Sequence, residues 1–260
     1  MRKFSRKFSV FLVGAAVFIN LAYADNSTER IKNRGVLIAG INTDVEKFGY
    51  KNPQTNIIDG FEIDMVRAIA KKILGNESKI ELVPITPRSR EYLLYSGKLD
   101  IVAATFTITD ERKKYYNFSS PYYADGLALM VRKGSNIKSL KDLNGKSIGT
   151  AYSATSRGVL RDIAAKSGMK FKFFAFSSYS EINSALAFES VDCFAADRSI
   201  LAQYANNNTV ILDDMLSVEN YGIASLKSDT ELGKIVNEVV NGLKSSGELD
   251  KMAQKWGLKN

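Results

Sequence analysis

Between Thr105 and Phe118 the chain reads Thr-Phe-Thr-Ile-Thr-Asp-Glu-Arg-Lys-Lys-Tyr-Tyr-Asn-Phe, alternating hydroxyls followed by a charged run that contains Arg112. Ahead of it, Leu99 to Ala104 is a short apolar run after a Ser96-Gly97-Lys98 turn, which suits a buried parallel strand. Thr105 and Thr107 then fall at the carboxyl end of that strand. Thr109 is a candidate helix N-cap, and Asp110 and Glu111 match the positive end of the helix dipole. Arg112 does not match it: a cation in a first turn forfeits roughly 0.3–1 kcal/mol, and an anion in front of it would explain its presence. Strand-end hydroxyls, helix amides and a guanidinium fork together bind a carboxylate by both charge and geometry. A solvated charged face is the other reading of Asp-Glu-Arg-Lys-Lys.

Other chemistries lack their residues. Without histidine the chain has no Ser-His-Asp or Cys-His nucleophile and no histidine zinc site. It has no P-loop and no glycine-rich dinucleotide fingerprint. Cys193 is the only cysteine, so no intrachain disulfide forms, and its apolar strand marks it as packing. Asp213-Asp214 is too short for a calcium loop. Neither metal nor cofactor is indicated. Glu62, Asp64 and Asp100 could be proposed as catalytic acids, but their positions suit structural hydrogen bonds better.

The first residues read as an export signal. Arg2, Lys3, Arg6 and Lys7 form a basic start, Val10 to Ile19 an apolar stretch, and Ala22-Tyr23-Ala24 a cleavage site. That stretch is short for a membrane span, and no cysteine near it offers a lipid anchor. Residues 1–24 are therefore expected to be a signal peptide, and the mature protein to be soluble in the periplasm. Removing its four basic residues lowers Lys plus Arg from 36 to 32 against 28 Asp plus Glu, so the formal charge falls from +8 to +4. With lysines scattered along the chain, no nucleic-acid partner is indicated.

The elements that must position Arg112 alternate between strand and helix. Val36–Ile41 reads as a strand, Phe61–Leu74 as a helix with Ile63, Val66, Ile69 or Ala70, and Ile73 on one face, and Ile80–Val83 as a strand. Helix 88–95, the strand near 101 and the helix from 110 follow. A second cycle runs through strands 127–131 and 147–149, helix 155–168, strand 171–174, helix 180–188 and strand 191–195. The alternation predicts an α/β fold with open sheets, and the two cycles predict two lobes. Helices 230–243 and 247–256 close the chain.

The run Ala104 to Lys114 followed by Phe118-Ser119-Ser120-Pro121-Tyr122-Tyr123 closely resembles the polar amino-acid-binding proteins of ABC importers, solute-binding protein family 3. Gly60-Phe61-Glu62-Ile63-Asp64-Met65, Val191-Asp192, Asp197 and Lys255-Trp256-Gly257 extend the resemblance over essentially the whole mature chain. It implies a two-lobed periplasmic binding protein type II fold with the ligand in the interlobe cleft. Lobe one would comprise residues 25–125 and 222–260, and lobe two residues 126–221, with the terminal helices packed on lobe one.

The same resemblance implies roles residue by residue. Arg112 would grip the ligand α-carboxylate, assisted by Thr105 and Thr107. Thr155 and Ser156, at a helix start in lobe two, would add donors, although ordinary N-capping explains them equally. Ser153 and Ala154 stand where many members have a glycine. Asp197 would take the α-ammonium, with capping of helix 198–204 as its competing explanation. Arg90 matches an arginine that contacts side-chain carboxylates in aspartate- and glutamate-binding members and also occurs in cysteine and cystine relatives; a surface arginine on an amphipathic helix is the alternative. Tyr179 and Tyr221 match pocket aromatics, with core packing as the alternative, and Phe48 is expected either to wall the pocket or to lie in the core. Asn42 replaces a lysine offered by some acidic-ligand members, leaving one fewer cation, and Val45 replaces an aromatic residue.

A binding protein and not an enzyme is thus expected, its ligand aspartate or glutamate in the first instance, with cystine, cysteine or a glutamine-type ligand as the alternative. The implied partners are the permease subunits of an ABC importer in the inner membrane, and a monomer is expected. Some relatives of this fold are dehydratases of prephenate-type acids, which is the enzymic alternative, and no sequence feature is specific to an adhesin role.

Overall fold

The computed structural model describes residues 27–258, so the expected signal segment lies outside the described residues. Two five-stranded sheets carry the fold. In the first, the strand order is Ile80–Pro84, Leu37–Ile41, Ile101–Ala103, Ala224–Leu226 and Tyr116–Phe118. In the second it is Lys172–Phe176, Ser147–Ala151, Cys193–Asp197, Leu127–Arg132 and Thr209–Ile211. Both repeat one pattern: three parallel strands, then a neighbour running antiparallel to the third. Helices cover their faces, as parallel strands buried on both sides require.

The chain passes between the sheets along Tyr123–Asp125 and returns along Glu219–Tyr221. These segments pair antiparallel, with Tyr221 opposite Tyr123 and Glu219 opposite Asp125. In both sheets the third strand ends toward the space between them, at Ala103 in one and Asp197 in the other. Ligands of open α/β sheets collect at such carboxyl ends.

The helix Phe61–Leu74 forms where the apolar period placed it, with Ile63, Val66, Ile69, Ala70 and Ile73 buried and Gly75 ending it at φ +70°. Each buried apolar side chain of this size contributes about 1.5–3 kcal/mol. Thr230–Ser245 packs on this helix and on the first sheet, joined by Glu248–Lys255. Helix 88–95 is shorter than expected, Arg90–Tyr95, because the Ser89 amide donates to the Thr86 carbonyl (3.0 Å) and closes a turn over residues 86–89. The strand expected from Val191 begins at Cys193. The Asp192 carboxylate there accepts from the Ser147 amide and hydroxyl. A small sheet of Asp44–Val45, Gly49–Lys51 and Ile58–Asp59 has no alternating apolar pattern and was not visible in the sequence.

Gly60 joins that small sheet to the long helix. It sits at φ +152°, and a Cβ there would lie 2.1 Å from the Phe48 carbonyl oxygen, which also accepts the Glu62 amide. Gly60→Ala is expected to lower stability by about 1–3 kcal/mol through this overlap, read as a lower urea midpoint at unchanged slope.

Candidate functional site

At the end of the first sheet's third strand the backbone is forced into a rare conformation. Thr105 has φ +42°, and its amide donates to Glu62 Oε1 at 2.6 Å. Its hydroxyl accepts from Asn42 Nδ2 at 3.1 Å, so both Asn42 and Glu62 stand behind Thr105 and aim it at the cleft. Thr109 caps the following turn as expected, accepting from the Arg112 amide.

The Arg112 side chain is buried, 8% exposed, which excludes the solvated-face reading for this residue. Nη1 donates to the Thr107 carbonyl at 2.7 Å, and Nη2 crosses the cleft to the Ser153 carbonyl at 2.5 Å. Arg90 is buried too, 3% exposed, and so is not a surface arginine. It donates to the Ala104 carbonyl and, across the cleft, to the Ser153 carbonyl, both at 3.3 Å. Both guanidinium groups lie over the Phe106 ring, 4.2 and 4.4 Å from its centroid, a cation–π arrangement that holds them in place. Burial and the neighbouring Arg90 charge pull Arg112 below the usual arginine value, so an anion placed there would be stabilised.

From the second sheet, Ser153 at φ +56° turns the chain into the helix Ser156–Ser167. Thr155 makes no side-chain cap and donates instead to Glu219 Oε2 at 2.9 Å. The Ser156 hydroxyl is buried with no hydrogen-bond partner, which ordinary capping does not explain. Nor does Asp197 cap its helix: its carboxylate accepts from the Tyr221 hydroxyl at 2.6 Å. Burial raises the Asp197 carboxyl to about 7; the Tyr221 bond opposes this, and Glu219 and Asp125 add to it.

Between the sheets lies a small cavity of about 10 Å³, room for about one water, lined by Arg90, Thr105, Thr107, Ala154, Thr155, Ser156, Tyr179, Ala196 and Asp197. Seven of the residues singled out in the sequence as binding the ligand thus line one cavity, from both sheets. Arg112 adjoins it through the Thr107 carbonyl, while Asn42 and Tyr221 stand one layer behind. Phe48 corrects the pocket-wall expectation: it is 1% exposed and packs edge-on against Phe61, Tyr123 and Tyr221, in the core. The cleft is narrow because the sheets are latched at its rim. Tyr204 donates to Asp44 Oδ2 at 3.1 Å, Arg88 to the Ser177 hydroxyl at 3.2 Å, and the Glu46 amide to Gln203. A larger groove runs between Tyr116–Phe118 and Thr230–Ser245, but none of its lining residues is a buried acid, lysine or arginine, and convergent charge marks a polar-ligand site better than size does.

Sequence reasoning named Ser153 only as standing where many members have a glycine and missed that its carbonyl receives both arginines; it also missed Glu219 as the partner of Thr155. Phe106 sits inside the quoted motif, yet its role under two cations depends on contacts from separate elements. Of the three acids weighed in the sequence, Asp100 accepts the Ile38 amide, Asp64 binds Arg67, Lys255 and Trp256, and Glu62 accepts the Thr105 amide. Among the described residues no cluster of ligating side chains could hold a metal ion, and no helix is long and apolar enough to cross a membrane.

Two open α/β sheets facing each other across a buried, two-signed polar cleft define a two-lobed ligand-binding protein. The chain belongs to the bacterial extracellular solute-binding proteins, family 3, whose model matches residues 37–259. It is 40% identical over 205 residues to the glutamine-binding protein of Geobacillus stearothermophilus, covering 78% of this chain and 77% of that one. To the ABC transporter glutamine-binding protein GlnH of Bacillus subtilis (strain 168) it is 36% identical over 229 residues, 87% and 82% of the two chains. Among solved structures it is similar to an ancestral arginine-binding protein bound to glutamine, at TM-score 0.77 and 38% identity, covering 87% of this chain and 99% of that one.

Asp197 binds its proton more tightly in the folded than in the unfolded chain. Its contribution to stability is complete below about pH 4, the ordinary aspartate value, and is lost as pH rises through about 7. In ligand-free Asp197→Asn this loss is absent. The variant's unfolding free energy minus that of the wild type should therefore rise in the variant's favour between pH 4 and 8 in urea titrations.

Proposed function

We propose that this chain is the periplasmic binding component of an amino-acid ABC importer and that its ligand is glutamine or a closely similar neutral, amide-bearing amino acid. The observation that carries this is the opposition of buried Arg112 and Arg90 on one side of the cleft to buried Asp197 on the other. A zwitterion fits that opposition. Its carboxylate replaces the Thr107 and Ser153 carbonyls on Arg112, with Thr105 and Thr107 beside it and the unpartnered Ser156 hydroxyl and helix N-terminus opposite. Its ammonium replaces Tyr221 as the partner of Asp197.

The side chain meets Tyr179 and Arg90. Arg90 Nε is buried without a partner, which supplies a donor for a carbonyl oxygen. No second cation joins it, because Asn42, where a lysine would serve a second carboxylate, spends its amide on Thr105. An amide side chain therefore accounts for the cleft better than the aspartate or glutamate expected first, and the glutamine-binding proteins among the relatives support the same choice. The cystine alternative finds no feature of its own in the cleft.

Binding would proceed by closure of a lobe of residues 25–125 and 222–260 on a lobe of residues 126–221, about the paired strands at Tyr123 and Tyr221. Closure excludes water and so strengthens each ion pair. About −8 kcal/mol suffices for micromolar affinity, and a carrier that must release its ligand to a permease gains nothing from binding much more tightly. A monomer satisfies this mechanism. With no histidine to activate the serine and threonine hydroxyls of the cleft, and with binding proteins among its relatives, capture and delivery describe it better than turnover does.

Residues 25–260, unfolded and refolded to remove carried-over ligand, are expected to melt at higher temperature with glutamine than with aspartate, glutamate or cystine. Arg112→Ala should weaken glutamine binding about 30-fold or more, as for the loss of one member of a buried charge pair worth about 2–5 kcal/mol. A larger shift with glutamate would return the assignment to the acidic ligands, and a response to prephenate alone would move the protein to the dehydratases. Because Asp197 must be ionised to hold an ammonium, glutamine affinity should fall below pH 7, by at most about tenfold per unit, in calorimetric titrations between pH 8 and 5.5.

A further inference from the structure

We infer that Glu62, which does not line the cleft, is a specificity-determining residue: from behind Thr105 it balances the charge of Arg90 and so makes the cleft select an uncharged side chain over a carboxylate. The inference rests on the reading of the cleft as an amino-acid site.

Glu62 lies in the first turn of the helix Phe61–Leu74 and is fully buried. Its Oε1 accepts the Thr105 amide and the Tyr122 hydroxyl, while Oε2 is buried with no hydrogen-bond partner. Those two bonds alone would be met by a neutral glutamine, so they do not explain a carboxylate there. Arg90 explains it. Among the described residues Arg90 has no carboxylate within 4.0 Å, and its only acceptors are two backbone carbonyls. A buried guanidinium without a counter-charge costs several kcal/mol, and Glu62 stands at the other end of the same peptide group: Arg90 Nη1 donates to the Ala104 carbonyl at 3.3 Å, and Glu62 Oε1 accepts the Thr105 amide at 2.6 Å. Burial raises the Glu62 carboxyl to about 7, and the Tyr122 and Thr105 bonds and the Arg90 charge keep it from rising further.

The consequence is a count of charges. Arg90 and Arg112 face Glu62 and Asp197, with Glu219 and Asp125 beyond Asp197 and Glu91 beside Arg112 at 3.8 Å. A zwitterion with a neutral side chain adds no net charge to this set. A second carboxylate adds a negative charge to a cleft that has no spare cation to meet it. Arg90 alone would suit an acidic side chain; Arg90 with Glu62 behind it suits an amide oxygen.

Glu62→Gln keeps an acceptor for Thr105 and Tyr122 and removes the charge. The refolded mature chain would be titrated with glutamine and with glutamate at pH 8. The expected result is a fall of at least about tenfold in the ratio of the glutamate to the glutamine Kd, since one pKa unit of charge interaction is a tenfold change. Equal weakening of both ligands would reduce Glu62 to a support for Thr105 and overturn the inference. Wild-type protein supplies a second measurement that needs no variant. Protonation of Glu62, whose facing groups are Tyr122, the Thr105 amide and Arg90, should lower the same ratio as pH falls from 8 to 6. The Asp197 effect, common to both ligands, cancels in that ratio. A ratio that does not fall overturns the inference, whereas wild-type protein that binds neither ligand removes the amino-acid reading itself.

Discussion

Two guanidinium groups and two carboxylates taken out of water in one small volume are the constraint around which this protein is arranged. Each such charge costs several kcal/mol to bury unless partners are supplied in good geometry. Arg90 and Arg112 obtain theirs from three backbone carbonyls and the Phe106 ring, Glu62 from Thr105 and Tyr122, and Asp197 from Tyr221. Those partners come from both sheets and from the strands between them. The cleft is therefore satisfied only when the two sheets face each other, and its groups remain available to a ligand that offers stronger partners than backbone carbonyls.

Thr105 shows how the fold accepts local cost for this arrangement. A β-branched residue at φ +42° is strained by about 1–3 kcal/mol and persists only where its surroundings fix it. Glu62 fixes its amide from the helix start after Gly60, where the Glu62 amide donates to the Phe48 carbonyl, and Asn42 fixes its hydroxyl from the end of the strand Leu37–Ile41. The small sheet near Phe48, whose Asp44 also latches the rim of the cleft, thereby helps to set the aim of a cleft-lining threonine.

The paired strands between the sheets do more than connect them. Tyr221 stacks on Tyr123 at 5.9 Å, and its hydroxyl reaches both Asp125 at 3.1 Å and Asp197 at 2.6 Å. A cation arriving at Asp197 competes with Tyr221, and so acts directly on the segment about which the sheets would turn. One phenol thus joins a buried carboxylate of the cleft to the paired strands between the sheets.

The sequence alone determined the alternation of strands and helices, the Thr109 cap, the long apolar-faced helix and most of the cleft residues, because these depend on period, capping chemistry and motifs that are local in the chain. It also favoured an acidic ligand, reading Arg90 by itself as a receptor for a carboxylate. Only the tertiary structure decided that Arg90 and Arg112 are buried, that Ser156 is left without a partner, that Asp197 is bound to Tyr221 and not to its own helix, and that Phe48 belongs to the core. It also decided that Glu62, 28 residues before Arg90 in the chain, lies behind the same threonine that faces the cleft. The physical reason is that the charge of a site is a sum over neighbours in space, and burial, which sets how strongly those neighbours act, is fixed by contacts that no local pattern records.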